Sequence, residues 1–497
     1  MKVTLKQHDK VPGASPLAAL EHLVVLLPAS RRHRPPPGFT DAGLLLQRLH
    51  QAQGNDATGP FATDLPNRRA THVVLALADD AASPFTLLTL ARKLLAPVLQ
   101  RNPRRIGLLV AGFAPEPARR AAEALVAAAL AGHFTLPTLK STPARARRLN
   151  TIDIYGVAAA LDTERLTAEA EGNHLARSLT TLPPNLLTPG EYRRRIALLA
   201  RQQGWRMSTL NSRALQRLKA GAFLAVAQGS AHDDASIVHL RYTPPRARRT
   251  PRLALVGKGI CFDTGGMNLK SAKHMHGMHE DMEGSAVALG TLLALSRLKV
   301  PFAVDCWLAL AQNHIGPHAY KQNDVVTACD GTTIEVVHTD AEGRMVLADT
   351  LALASRAKPH LIIDYATLTG ACVYALGTRY SGAFTNREAL IAEVIAAGRE
   401  SGERVWPFPL DEDYEEALQS TIADIKQCTL EGEADHILGA RFLKRFVADR
   451  PWLHIDLSAG NNKGGLAHIP SDVTGFGVRF TLNLLLDRKI MDGLRSD

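Results

Sequence analysis

Blocks of consecutive apolar residues alternate along this chain with segments whose apolar positions recur every three or four residues, which predicts strands and helices taking turns. Apolar runs at 22–27, 72–78 and 106–112 have the length of buried strands, and the Ala/Leu-rich segments 85–99 and 117–131 carry helical patterning between and after them. A strand-like Ile152-Asp153-Ile154-Tyr155-Gly156 follows. Residues 162–181 are then compatible with a helix that Pro183-Pro184 ends, since proline has no amide hydrogen to continue the ladder. Pro-Pro-Pro at 35–37 and the Gly/Asn/Asp/Pro-containing stretch 53–66 read as loops. Further on the alternation resumes, with strands near 236–241, 252–257, 302–310, 334–338, 360–365 and 453–457 and helices near 190–203, 283–298, 345–357, 387–401 and 436–449. The expectation is an α/β chain of two domains, a smaller one over residues 1–160 and a larger one over 186–497, joined by a helix and connection over 161–185. The larger domain should hold a mixed, centrally parallel sheet flanked by helices, with functional groups where the carboxyl ends of strands open into loops.

Length and composition fit that outline. A chain of 497 residues exceeds the usual single core, and a hydrophobic fraction of 46% suits a globular protein. Five cysteines, at 261, 306, 329, 372 and 428, show no short paired spacing, which fits a reducing cytoplasm better than a disulfide framework. Glu21 and His22 interrupt the apolar stretch near the N-terminus without a small-residue cleavage site, and no run reaches membrane-spanning length. A cytoplasmic protein with no membrane partner is therefore expected.

The formal charge of +10 is uneven: residues 1–165 hold 21 lysines and arginines against 12 acids, leaving 37 against 36 elsewhere. Arg31-Arg32-His33-Arg34, Arg104-Arg105, Arg119-Arg120 and Arg145-Ala146-Arg147-Arg148 form the clusters, and a nucleic-acid partner is one reading of them. A solvated, arginine-rich face is the favoured reading, because no aromatics interleave the clusters and they fall on predicted loops and helix ends.

Candidate chemistry gathers in the larger domain. The segment Val337-His338-Thr339-Asp340-Ala341-Glu342-Gly343-Arg344 ends an apolar run with two carboxylates one residue apart and a guanidinium. In an extended chain alternate side chains face the same way, so Asp340 and Glu342 converge while Ala341 turns aside. Gly343 lets the backbone bend, and Arg344 offers a planar fork of donors to a carboxylate or carbonate. Upstream, Leu253-Ala254-Leu255-Val256 runs into the glycine-rich Gly257-Lys258-Gly259-Ile260-Cys261-Phe262-Asp263-Thr264-Gly265-Gly266, with Lys270 after it and Asp281 farther along. Singly these residues also read as a strand terminus, a turn acceptor, a first-turn acid and an acidic loop; together they read as a metal site.

Residue by residue the set resembles the M17 leucyl aminopeptidase family. Thr339-Asp340-Ala341-Glu342-Gly343-Arg344 keeps that family's Asn-Thr-Asp-Ala-Glu-Gly-Arg signature except at its first position, which is His338. Val256-Gly257-Lys258-Gly259, Phe262-Asp263-Thr264-Gly265-Gly266 and Ala366-Thr367-Leu368-Thr369-Gly370-Ala371 are similar to further family motifs in order and separation, and the likeness runs from about residue 170 to the C-terminus. The resemblance implies a catalytic dinuclear-metal peptidase domain that trims N-terminal residues from peptides, Leu-like ones preferred. It implies Lys258, Asp263, Asp281, Asp340 and Glu342 as ligands of two divalent ions, zinc or manganese, with magnesium or cobalt as alternatives. Five ligands are too few for two separate shells, so carboxylates are expected to bridge ions that activate a shared water. Lys258 would bind as a neutral amine, while Lys270 would stay an ammonium that stabilises the oxyanion. Arg344, with backbone of Ala341, Gly343 and Leu368, would hold bicarbonate as a proton shuttle, and Asp281 would accept protons of the substrate's α-amine. Met278, Thr367 and Gly370 would form the slot for the first side chain, and the assembly would be a homohexamer.

Three segments depart from the family pattern. His274, His276 and His279 stand before Asp281, where an extra ion or simple hydrogen bonding are the alternatives. The stretches 313–324 and 431–436 also differ, so the rim of the substrate pocket is expected to be altered.

Overall fold

The computed structural model describes residues 3–8, 17, 19–31, 34, 41–53, 59–142, 147–244 and 251–493. The chain forms two compact units, one of residues 1–170 and 463–472, the other of 171–462 and 473–497. The helix Thr163–Thr180 runs through the point where the first gives way to the second.

In the first unit the strands are β1 (Thr4–His8), β2 (His22–Pro28), β3 (Phe61–Asp64), β4 (His72–Ala78), β5 (Arg105–Val110) and β6 (Thr151–Tyr155), in the order β1-β6-β5-β2-β4-β3. All neighbours are parallel except β3 on β4, which is antiparallel. The apolar runs at 22–27, 72–78 and 106–112 thus become β2, β4 and β5, buried on both faces as a parallel sheet requires. Helices Pro84–Gln100 and Pro115–His133 cover one face through Leu88, Ala91, Leu95, Ala122 and Leu125. Residues 463–472 belong here as well: Ala467 joins this core, and Arg92 Nη1 donates to Gly464 O at 2.6 Å and Ile469 O at 3.0 Å.

Many of this unit's cations are committed within it. Arg105 pairs with Asp153 at 2.5 Å, and Arg119 bonds Glu116 and Glu123 at 2.6 Å each, so those positions offer less free charge than the sequence count suggests. Arg32, His33, Arg145, Ala146 and the Pro-Pro-Pro at 35–37 lie outside the described residues, as do residues 54–58 of the second predicted loop.

The second unit is built on eight strands, β7 (Arg206–Asn211), β8 (Ser236–Tyr242), β9 (Arg252–Asp263), β10 (Ala303–Asn313), β13 (Leu361–Ala366), β14 (Ser381–Thr385), β15 (Val405–Pro407) and β17 (Trp452–Asp456). Their order is β15-β14-β17-β13-β9-β10-β8-β7, and a separate small sheet holds β11 (Val325–Thr327), β12 (Thr333–Glu335) and β16 (Ile425–Lys426). The four central strands, β17-β13-β9-β10, are parallel, while β7, β8 and β14 add antiparallel edges, giving the mixed, centrally parallel sheet that the alternation predicts. Helices Glu283–Arg297 and Glu342–Ser355 are buried almost throughout, as helices packed on a central sheet must be. Among the described residues no helix is long and apolar enough to cross a membrane, and the five cysteines are unpaired.

Two local expectations need correction. Lys258 does not follow a strand end: β9 continues through Asp263, so Lys258 sits inside the strand and Asp263 closes it, although the glycines around Lys258 look like a bend in sequence. The strand expected at 334–338 stops at Glu335, because the amides of Val337 and His338 donate to Gln427 Oε1 at 2.6 and 3.1 Å instead of to a neighbouring strand.

Candidate metal centre

Asp340 and Glu342 meet through a turn and a helix start, not through extended alternation. The turn is fixed from several sides: Tyr320 Oη donates to Thr339 O at 2.6 Å, Asn313 Nδ2 to the same oxygen at 3.0 Å, and the Thr339 hydroxyl to Gly265 O at 2.6 Å. His338, at the variable position of the signature, accepts the Asp340 amide on Nδ1 at 3.2 Å. Burial first, then the Lys270 charge, lowers the His338 pKa, consistent with a neutral ring that accepts there. Ala341 then leads into the helix, whose first residue is Glu342.

Gly343 has a different role from the bend expected of it. A Cβ there would lie 2.7 Å from Lys258 Nζ and 2.8 Å from its Cε, so the glycine clears the channel through which Lys258 reaches the centre. The Lys258 ammonium lies 2.9 Å from Asp281 Oδ1 and 2.8 Å from Glu342 Oε1, and donates to Thr367 O at 2.8 Å. Lys270 is not held apart from the carboxylates either: its Nζ is 3.0 Å from Asp263 Oδ2 and 2.5 Å from Asp340 Oδ1. The fold therefore brings Lys258, Asp263, Lys270, Asp281, Asp340 and Glu342 to one place. Carboxylate oxygens of Asp263, Asp340 and Glu342 lie within 4.8 Å of one another, a spacing that suits a shared cation.

Electrostatics point the same way. Burial works against the Lys258 charge, but Asp281, Glu342 and Asp263 outweigh it and raise its pKa above the ordinary lysine value. Burial raises the pKa of Asp281, opposed by Lys258 and reinforced by Glu342. It likewise raises Asp263 and Asp340, each against the pull of Lys270 and each helped by a neighbouring acid. Four carboxylates face two ammonium groups, so the site as it stands is short of positive charge. Asp281 Oδ2 and Glu342 Oε2 are buried without a hydrogen-bond partner, which is costly unless something else binds them. An oxygen-rich set with one amine fits divalent zinc, manganese, magnesium or cobalt.

Around this centre a cavity of about 810 Å³ is lined by the five candidate ligands, Lys270, Arg344, Ala341, Leu368, Met278, Thr367 and Gly370, while Gly343 lies behind it against Lys258. Thr367 Oγ1 donates to Asp281 Oδ1 at 2.6 Å. The Leu368 amide donates to Asp456 Oδ1 at 3.1 Å. Arg344 is engaged by the protein itself: Nη1 donates to Gln427 O at 2.8 Å and Nη2 to Asp435 Oδ1 at 2.7 Å, leaving Nε unpartnered. Of the three histidines before Asp281, His274 lines the cavity and its Nδ1 lies 3.2 Å from Ser271 Oγ, His276 is exposed, and His279 is 4.0 Å from Glu280; none belongs to the acidic triad.

Sequence reasoning missed Asn313, whose Nδ2 donates to Asp263 Oδ1 at 2.8 Å, as well as Tyr320, Gln427 and the Asp435 partner of Arg344. It also missed Glu283, a carboxylate on the cavity lining that is 2% exposed. Burial, with the charges of Glu280 and Glu403, pushes the Glu283 pKa well above the carboxylate range.

Comparison with known proteins follows the same lines. A family model described as the cytosol aminopeptidase family, catalytic domain, matches residues 174–482. A probable cytosol aminopeptidase of Methylorubrum extorquens is 41% identical over 331 residues, 65% of this chain and 64% of that protein, so the match spans just under two thirds of the relative's length. Its counterpart from Syntrophotalea carbinolica is 42% identical over 346 residues, 68% of this chain and 69% of that protein. Among solved structures, a tomato leucine aminopeptidase mutant superposes with a TM-score of 0.85 at 28% identity, covering 98% of this chain and 97% of that one. The bottromycin maturation enzyme BotP in complex with Mn does so with a TM-score of 0.81 at 32% identity, covering 95% and 100%.

Proposed function

The chain belongs to the cytosol aminopeptidase family, and we propose on that footing that it is a metal-dependent aminopeptidase removing N-terminal residues from peptides. The observation that carries this reading is the cluster of buried Asp263, Asp281 and Glu342 with half-buried Asp340 around Lys258, and the unpartnered oxygens on Asp281 and Glu342. These five side chains would hold two divalent ions, Lys258 as the neutral amine that the charge of the ions would favour. When bound, the ions supply Lewis acidity for the scissile carbonyl and an activated water near neutral pH. Zinc and manganese are the favoured metals, manganese having support from the Mn complex of BotP.

The chain's own groups divide the remaining work. Asp281, whose Oδ2 has no hydrogen-bond partner, would accept a proton of the peptide's α-ammonium, which would tie cleavage to the N-terminus. Lys270 carries a positive charge, its pKa raised by Asp263, Glu342 and Asp340 against the opposing effect of burial, and would stabilise negative charge on the carbonyl oxygen. Met278, Thr367 and Gly370 line the cavity where the aliphatic stem of the first residue would lie, the thioether giving an adaptable wall for Leu-like stems. Arg344 would orient an anion such as bicarbonate through what Asp435 and Gln427 leave of its fork.

The test is a panel of dipeptides with protein reconstituted with manganese or zinc, with and without bicarbonate. Hydrolysis of dipeptides but not of their N-acetylated forms, lost on chelation and restored by metal, is the expected result. Equal activity on blocked peptides, or activity indifferent to chelation, would overturn the reading.

A homohexamer in the cytoplasm completes the proposal. The cytoplasmic placement draws support from the names of the relatives, and the assembly from exposed Tyr374, Trp406 and Ile422 on the second unit, apolar surface of the kind that assembly covers. Sedimentation at micromolar concentration should give a hexamer; a stable monomer would exclude it.

A further inference from the structure

Glu283 is the first residue of the helix Glu283–Arg297 and is 2% exposed, yet its Oε1 is buried without a hydrogen-bond partner. It lines the same cavity as the acidic centre. Gly460 makes room for it, since a Cβ at that position would stand against Glu283 Oε2. Next to Gly460, Asn461 Nδ2 donates to Glu280 Oε2 at 2.8 Å, and Glu280, Asn461 and Ser458 line the cavity too. The two ammonium groups there cannot serve Glu283, because Lys258 and Lys270 are bound to Asp281, Glu342, Asp263 and Asp340. A buried carboxyl group with an unpartnered oxygen on a cavity lining lacks both a hydrogen bond and a counter-ion, and a ligand that brings a cationic donor supplies both.

We propose that this floor is the specificity site for a basic first residue, Lys or Arg, whose aliphatic stem lies along Met278 while its cationic end pairs with Glu283. Glu280 adds negative charge at the wall, and Asn461, held by Glu280, offers a carbonyl oxygen. The slot thus discriminates by charge at its end as well as by apolar shape along its length. This inference rests on the aminopeptidase reading.

The experiment compares Lys-Ala with norleucine-Ala, whose first side chain has the same carbon stem and no ammonium. With the metal-reconstituted full chain, kcat/KM for Lys-Ala should exceed that for norleucine-Ala by at least about tenfold, as expected for a buried charge-assisted bond. Glu283→Gln should bring that ratio to near unity. Calorimetry with free lysine and free norleucine should give the same ranking in the parent without turnover. A parent that handles norleucine as well as lysine, or a ratio that survives Glu283→Gln, would overturn the proposal. Failure to hydrolyse either dipeptide while cleaving blocked peptides would remove the aminopeptidase reading itself, and this inference with it.

Discussion

Asp340→Ala and Glu342→Ala are each expected to cut peptide hydrolysis by more than about a thousandfold, since both carboxylates belong to the shell that would hold the ions. The triad of Asp263, Asp340 and Glu342 has its oxygens within 4.8 Å of one another, so losing one member removes a ligand that no neighbour replaces. Bound metal should fall in parallel, measured by elemental analysis after dialysis. The fold should survive. Asp340 faces Lys270, which keeps Asp263 as a partner, and Glu342 faces Lys258, which keeps Asp281 and the Thr367 carbonyl. Removing one acid also relieves repulsion among four clustered carboxylates, three of them buried, which partly offsets the lost ion pair. Circular dichroism should therefore match the parent while activity and metal content collapse together. Parental activity in either variant would show that these residues are not ligands.

The difference between what was readable in the sequence and what was not follows from how far each signal travels along the chain. Strands β2, β4, β5, β9 and β13 were visible because a parallel sheet buried on both faces needs uninterrupted apolar runs. The candidate site residues were legible as motifs, and the fold does gather them. Their local geometry was not legible, because Gly257 and Gly259 inside β9 look like a bend, and the start of a helix at Glu342 looks like the end of a strand. The groups that fix the site were hidden for another reason. Gln427 and Asp435 reach Arg344 across 83 and 91 positions, and Asn313 reaches Asp263 across 50, so no local pattern marks them. Glu283 stands in the first turn of its helix, where an acid is favourable whatever else it does, so only its burial against Gly460 sets it apart.

Lys270→Ala should separate charge stabilisation from metal holding. Its ammonium lies 3.0 Å from Asp263 Oδ2 and 2.5 Å from Asp340 Oδ1, so two explanations for its presence compete. If it served only to neutralise the acids, its loss would leave more negative charge for the ions, and both metal affinity and rate would hold or rise. If it stabilises the carbonyl oxygen as negative charge develops there, metal content should stay at the parental level while kcat falls by roughly a hundredfold or more, as removal of an oxyanion donor does. KM should move little, because the interaction strengthens only as that charge appears. Lys270→Arg should recover part of the rate, since it restores the cation with a different reach. Metal content and kcat measured on the same preparations decide between the two. A variant with full metal and parental kcat would leave Lys270 as no more than a counter-ion for Asp263 and Asp340.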